Sequence, residues 1–471
     1  MRLRAIFTVF FLAVLSPSPT MARSFSPAMV KMFTELQQQP TDLARYVYLL
    51  KLQPRLSTSD LPIALQMVAT AENELGLYNE ALRDFPLKSR PPANLALPAA
   101  AQWQPVDAAA FIGTMAADRR LVMINEAHHD AHTRQLTLAL LPRLRALGFN
   151  YFAAEALLES DTGLMQRGYP IEASGTEYLH EPAYGEIIRT AIRLGYQVVA
   201  YDLDGASPQE RESGQASNLY RKVFARDPAA RLFVHAGYAH IDKAKGRLGR
   251  WRPMAMQLRD MTGIEPLSID QTQFREQIPG ERDDYASLID RFGPTGPIVL
   301  VNRRTRTPWS AAPRLYDLNV ILPPAAGQGA VESGYTQPST IVHDMVRRQS
   351  MLTRIVNTQR PAWLALHGQR SPLAVGTALC KVVLPCVVEA RYPGEAGDAI
   401  AADRYAFMQG DTSARLYLHP GRYRLTARDI GGRVLSERVV SVDEPAPAAP
   451  SLDQPASRGG PDATDPSSSD I

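Results

Sequence analysis

Between residues 106 and 325, short apolar runs alternate with longer stretches of helical periodicity. This alternation constrains the fold more than any other feature of the chain. The strand-like runs are LVMI (121–124), YFAA (151–154), QVVAY (197–201), RLFVH (231–235), PLSI (266–269) and PIVLV (297–301). Between them, LTLALLPRLRALG (136–148) and YGEIIRTAIRLG (184–195) repeat apolar residues every three or four positions, and each ends at Gly. Gly just past the last periodic residue is a favoured helix stop. Strand–helix alternation predicts an α/β domain over 106–340, a mostly parallel sheet with flanking helices. Such sheets bind ligands beyond the carboxyl ends of their strands.

The flanks of this region read differently. Residues 1–22 combine Arg2 and Arg4, the apolar run AIFTVFFLAVL (5–15) and Thr20-Met21-Ala22. That order predicts a secretory signal peptide cut after Ala22, and its apolar run is short of the ~20 residues that span a bilayer. The expected mature chain is periplasmic or secreted, with no stable membrane span after signal removal. Residues 23–105 predict a helical N-terminal segment packing on the main domain, followed by the Pro-rich linker PPANLALPAAAQWQP (91–105). LPIALQMVATAENELGLYNEALRDF (61–85) has helical periodicity and resembles one tetratricopeptide turn at Gly76. Residues 341–443 predict one more helix, over 340–360, and then a small β-rich, sandwich-like domain. The tail 444–471 is too polar and Pro-rich to bury a core and is expected to be disordered. The two Cys, 380 and 386, allow one disulfide in an exported protein and no Cys-based zinc cluster. With a formal charge of +3 over 471 residues, no basic field points to nucleic acid.

The chemistry-bearing residues sit where the expected strands end. In LVMINEAHHDAHTRQ (121–135), Glu126, His128, His129, Asp130 and His132 follow the first strand. A helix starting near Ala127 would place His128 and His132 on one face, four residues apart. Glu155 ends the second strand, Asp202 and Asp204 the third, and His235, Tyr238 and His240 follow from the fourth. Six of the nine His (128, 129, 132, 180, 235 and 240) fall in this stretch. Asp130 and Asp204 read as helix caps or solvated turn residues, and His180 as a capping-loop residue. Arg134 could hold an anionic group, although a lone Arg early in a helix is usually a surface residue.

Imidazoles and carboxylates together suit a divalent metal (Zn, Mn or Fe). They equally suit a metal-free base that activates water, or an axial haem ligand. Spacing alone leaves these three open. The chain has no H-E-x-x-H, no G-x-S-x-G, no P-loop and no G-x-G-x-x-G after a strand. A helical zinc-protease site, a serine elbow and nucleotide binding are therefore unsupported. The expected partner is a small-molecule or peptide substrate.

At these residues the chain resembles the superfamily of the erythromycin esterases, the ChaN-type haem-binding lipoproteins and the Tiki/TraB proteins. The first family motif, a G-E-x-H turn, stands here as Asn125-Glu126-Ala127-His128. The second, a Glu closing the next strand, is Glu155, and the third is His235-Ala236-Gly237-Tyr238-Ala239-His240. The resemblance covers about 115–325. It implies an α/β fold with its site at the strand ends. Resemblance to the esterases implies His128 as the water-activating base, with Glu126 and Glu155 orienting it or sharing protons, and His235 and His240 beside them. Resemblance to the Tiki proteins implies Glu126, His128, Glu155 and His240 as metal ligands. Resemblance to the ChaN proteins implies an exposed His on haem. Two positions depart from the pattern: Asn125 replaces the motif Gly, and no lipoprotein Cys is present.

Overall fold

The computed structural model describes residues 25–89, 91–92, 94–203, 207–277, 283–325 and 360–444. The expected signal peptide, Asp204, nearly all of the helix expected over 340–360 and the expected tail after residue 444 lie outside the described residues.

In chain order the N-terminal helices are α1 (Pro27–Gln37), α2 (Asp42–Leu52), α3 (Leu61–Glu74) and α4 (Tyr78–Asp84). The central region then runs β1 (Trp103–Asp107), α5 (Ala108–Ala116), β2 (Leu121–Glu126), α6 (His132–Ala146), β3 (Tyr151–Ala154), α7 (Leu164–Arg167), α8 (Pro182–Arg193) and β4 (Gln197–Ala200). It continues through α9 (Pro208–Leu219), β5 (Leu232–Gly237), α10 (Met254–Thr262), β6 (Leu267–Asp270), α11 (Asp284–Phe292), β7 (Ile298–Asn302) and β8 (Leu318–Ile321). The eight strands form one sheet in the order β1-β7-β8-β6-β2-β5-β3-β4. The six from β8 to β4 are parallel, and β7 and β1 add antiparallel at the edge. The α/β expectation holds.

Period-two burial explains why both faces are covered. Val122 and Ile124 of β2 join Phe152 and Phe233 in a core with α5, α6 and α8. Their neighbours Leu121 and Met123 join Val234 in a second core with α9 and α10. Alternate side chains of a strand point to opposite faces, so β2, β3, β4 and β5 each feed two cores. Chain direction decides which helix goes where. The steps β2→β3→β4 move one way across the sheet through α6 and α8, and β4→β5→β6 return through α9 and α10. Right-handed crossovers put outgoing and returning helices on opposite faces. The direction reverses beside β2, β5 and β3, which is where an open α/β sheet holds its ligand.

Two strands escape the sequence reading. β1 lies in the expected linker, and Trp103 packs with Leu95 and Leu97 beside the α11 core, so this segment is structural. β8 is a short run, LNVI, interrupted by Asn319, a residue depleted in strands.

The C-terminal strands are β9 (Ser371–Gly376), β10 (Cys386–Arg391), β11 (Asp403–Phe407), β12 (Ser413–Leu418), β13 (Gly421–Asp429) and β14 (Val434–Val442). They form a four-stranded antiparallel sheet, β11-β10-β13-β14, and a two-stranded sheet, β12-β9. The expected β-rich domain is thus present. Cys380 and Cys386 are disulfide-bonded, with Cα atoms 6.0 Å apart.

The N-terminal helices do not take their core from the α/β domain as expected. Met29, Met32, Tyr46, Val68 and Leu75 share one core with Val388, Tyr405, Phe407 and Leu425 of the C-terminal sheet. An apolar sheet face and an apolar helix stripe satisfy each other, however far apart in sequence. Arg404 of β11 reaches across this seam, pairing with Asp42 at 2.7 Å and donating to the Glu74 carbonyl. Among the described residues no helix is long and apolar enough to cross a membrane.

The turn after α3 can be tested. Gly76 has φ +76°, and a Cβ there would fall on the carbonyl oxygen of Arg404. That strand is pinned by Ala406 N–H donating to Leu75 O at 3.1 Å. Gly76→Ala is expected to cost about 1–3 kcal/mol, read as a lowered urea midpoint. An unchanged midpoint would show that the seam can yield.

Candidate functional site

β2 ends at Glu126, directly opposite Gly237 of β5. The strand then breaks. Ala127 to Asp130 form a tight turn closed by Asp130 N–H to Ala127 O at 2.8 Å, and α6 begins only at His132. His128 therefore lies on a turn, and it does not share a helical face with His132. The turn folds the imidazole back on the end of its own strand, onto Glu126.

Glu126 is buried and both its oxygens are filled. Oε1 accepts from His128 Nδ1 at 2.8 Å and from Arg134 Nη2 at 3.2 Å. Oε2 accepts from Arg134 Nε at 2.5 Å and from His235 Nε2 at 3.0 Å. Burial pushes this carboxyl up, but the Arg134 guanidinium and the His235 and His128 contacts hold it well below the usual carboxylate range. An ionised carboxylate only accepts, so both imidazoles are fixed as donors to it. His128 then carries its proton on Nδ1. His235 carries its proton on Nε2 and accepts at Nδ1 from the Thr137 hydroxyl, 3.0 Å away.

Arg134 has no exposed side-chain surface, which corrects its reading as a surface residue. It also donates to Glu181 Oε2 at 2.8 Å, and Tyr184 lies under its guanidinium at 4.7 Å. Glu181 in turn caps α8 by accepting from Ala183 and Tyr184 N–H. A signal for Arg134 was present. Thr137 and Leu141, three and seven residues on, are apolar-face positions, so the helix turns Arg134 inward with them.

A second set meets beside the first. Glu155, just past β3, accepts from Arg211 Nη2 at 2.6 Å and from the Gly237 N–H. Arg211, on α9, also grips Asp202 at 2.7 and 3.0 Å. His240 lies with Nδ1 2.6 Å from Glu212 and Nε2 3.4 Å from Glu155. Burial pushes His240 down, but Glu212 and Glu155 outweigh it and push it up to about 10. Glu155 is pushed up by burial yet held well below its ordinary range by His240 and Arg211. Arg211 and Glu212, both on the first turns of α9, are site residues that spacing could not reveal.

The two sets touch at Gly237. A Cβ on Gly237 would lie 2.5 Å from His128 Cε1 and Nε2 and 3.2 Å from Glu155 Oε2. Glycine is needed there for the imidazole to sit over the strand. His128 is stacked on Tyr178, centroids 4.0 Å apart, and edge-on to Tyr238 at 5.2 Å. Its side chain keeps 13% exposure, and no described residue hydrogen-bonds to its Nε2. Tyr238 holds a left-handed φ of +39°, a conformation costly for a bulky residue and common at functional sites. Asn125, the departure from the family turn, holds it there. Its Nδ2 donates to Tyr238 O at 2.6 Å and to Asp270 at 2.7 Å, and its Oδ1 accepts from Gln271 N–H at 2.7 Å. The side chain thus ties the ends of β2, β5 and β6 together.

The remaining candidates lie elsewhere. His129 stacks on Phe85 at 3.4 Å and contacts the Tyr238 hydroxyl at 3.1 Å. His132 stacks on Trp363. His180 pairs with Asp42 of α2 at 2.9 Å. Asp130 is buried rather than solvated and caps α6 through the His132 N–H at 3.2 Å.

The four residues expected as metal ligands do not form a ligand set. Glu126 has its lone pairs occupied, and His240 has both ring nitrogens on carboxylates. Among the described residues no three His, Cys, Asp or Glu side chains are grouped to hold a metal.

No protein-family profile matches the chain, and no curated protein does. Among solved structures, the type III effector HopBA1 is 17% identical over 41% of this chain and 88% of its own, with a TM-score of 0.28. A bacterial protein toxin is 18% identical over 32% of this chain and 34% of its own, with a TM-score of 0.24. The C-terminal region of Pasteurella multocida toxin, with its thiol-protease-like catalytic triad, is 10% identical over 73% of this chain and 52% of its own, with a TM-score of 0.27. Likenesses this weak bear on neither the fold nor the chemistry of this chain.

Burial depresses His132 to about 3. The unfolded chain binds this proton near pH 6.5 and the folded chain does not, so folded stability falls as pH drops through that window. Relative to His132→Phe, the natural protein should lose about 1.4 kcal/mol per pH unit between pH 6 and 4, measured by denaturant titration. A pH-independent difference would show that His132 charges freely in place.

Proposed function

We propose that this chain is a hydrolase in which His128 activates water for attack on an ester or amide carbonyl. The observation that carries this reading is the Glu126–His128 contact: a proton on Nδ1, a carboxylate behind it and an unpartnered Nε2. His128 Nε2 takes a proton from water as the water oxygen bonds to the carbonyl carbon, and the carbonyl electron pair moves to oxygen. The tetrahedral adduct then expels the alcohol or amine, which leaves with the proton from Nε2. Glu126 stabilises the transient imidazolium, as an orienting carboxylate does for other histidine bases. Arg211, 22% exposed and anchored by Glu155 and Asp202, is the cationic group on the rim that can face the developing oxyanion. No step runs through a metal, because the donor geometry does not fit one. The same resemblance that implies water activation at His128 supports this assignment. Export is part of the proposal; the disulfide fits an oxidising compartment.

The test is turnover of a panel of p-nitrophenyl esters and aminoacyl amides by the purified mature chain. His128→Ala should lower kcat/KM by about a hundredfold or more, and Gly237→Ala should lower kcat by displacing the ring. Full activity in His128→Ala contradicts the assignment. Activity lost to a chelator and restored by Zn, Mn or Fe, or a haem absorbance band in the purified protein, would contradict the metal-free reading.

A further inference from the structure

Asn73 links the N-terminal helices to the turn that carries His128. Asn73, on the last turn of α3, is buried. Its Nδ2 donates to the His128 carbonyl at 3.0 Å, and its Oδ1 accepts from the Ala131 N–H at 3.1 Å. A carbonyl can only accept and an N–H only donate, so these two partners fix which way the amide lies. One amide therefore staples both ends of the turn that carries His128 to a helix 55 residues away in sequence.

Neighbouring contacts from the same segment converge on this point. Phe85 stacks on His129 within the turn. Tyr78 donates to Glu181 Oε1 at 2.8 Å, so it bears on the Arg134 partner. Ala131, Tyr78 and Leu364 share a small apolar cluster. The turn is closed by Asp130 N–H to Ala127 O, and the Thr133 hydroxyl accepts from the Ala127 N–H and donates to Asp130 O, but none of these bonds reaches the His128 carbonyl or the Ala131 N–H. Without Asn73, the buried Ala131 N–H and the partly buried His128 carbonyl would both lose their side-chain partner, and unpaired buried groups drive local rearrangement.

We propose that Asn73 is a positioning residue for His128, holding the turn so that the imidazole stays against Glu126 and over Gly237. The proposal rests on the reading that His128 is the reactive group. It makes the N-terminal helices part of the site rather than an appendage.

Carbethoxylation of the full mature chain by diethyl pyrocarbonate, mapped by peptide mass, reads the position of His128 without needing a substrate. Buried His132 serves as the internal reference. In Asn73→Ala the His128 rate should rise about fivefold while His132 stays unreactive, as expected for a turn freed from one buried two-point anchor. Asn73→Asp keeps the acceptor for Ala131 but not the donor to His128, and should fall between. A role confined to helix stability would lower the melting temperature and leave the His128 rate at its natural value, as Gln66→Ala on the same helix should do. An unchanged His128 rate in folded Asn73→Ala overturns the proposal, and so does an equal rise at His132. If Asn73→Ala does not fold, Asn73→Asp decides by the same readout. Failure of both to fold makes Asn73 structural and overturns it too. A changed His128 rate in a chain that hydrolyses nothing keeps the positioning role and sinks only the hydrolase reading.

Discussion

The site depends on one buried charge, the Glu126 carboxylate. Taking a carboxylate out of water is costly unless it is paired and fully hydrogen-bonded. Arg134 supplies the pairing with two bonds, and His128 and His235 complete the shell. Because all four donors are fixed, the charge sets the tautomers of both imidazoles and the direction in which His128 faces. The same guanidinium holds Glu181 and thereby the start of α8, so the electrostatics of the site and the packing of the outgoing helices are one arrangement. Removing Arg134 would leave two buried carboxylates with no cation between them, a loss of about 3–5 kcal/mol for a broken buried pair.

The sheet topology explains why this charge lies where it does. β5 returns between β2 and β3, which brings His235 and Gly237 alongside Glu126 and Glu155. Returning helix α9 then delivers Arg211 and Glu212 from the opposite face. The polar groups thus meet at a rim whose strands are otherwise wholly apolar. The left-handed Tyr238 lies at the same place, and Asn125, at the end of β2, offsets its strain with bonds to the ends of β5 and β6.

Much of this was legible in the sequence, for identifiable reasons. The six apolar runs became β2 to β7 because strands buried on both faces read as continuous apolar segments. Glu126, His128, Glu155, His235 and His240 were found because ionisable residues stand out at the ends of such runs. β1 and β8 were not, since one lies at the end of a Pro-rich stretch and the other is a short run interrupted by Asn319. The start of α6 was misplaced by five residues because the turn 127–130 has no Gly or Pro to mark it. Arg134, Arg211, Glu212 and Asn73 act through partners 8 to 58 residues away; helical spacing turns Arg134 inward, but single-sequence spacing does not say which partner any of the four meets. The shared core of the N-terminal helices and C-terminal sheet was invisible for the same reason. It joins residues more than 300 apart, such as Leu75 and Ala406.

The central claim is that Glu126 holds His128 with its proton on Nδ1 and its Nε2 bare toward Gly237. Long-range ¹H–¹⁵N correlation NMR of the folded chain, labelled at histidine and assigned with His128→Gln, reads that tautomer directly. The account predicts a protonated Nδ1 and an unprotonated Nε2 at His128, with the opposite tautomer at His235. A proton on His128 Nε2 with a bare Nδ1 would mean that Glu126 does not orient this ring, and would contradict the account.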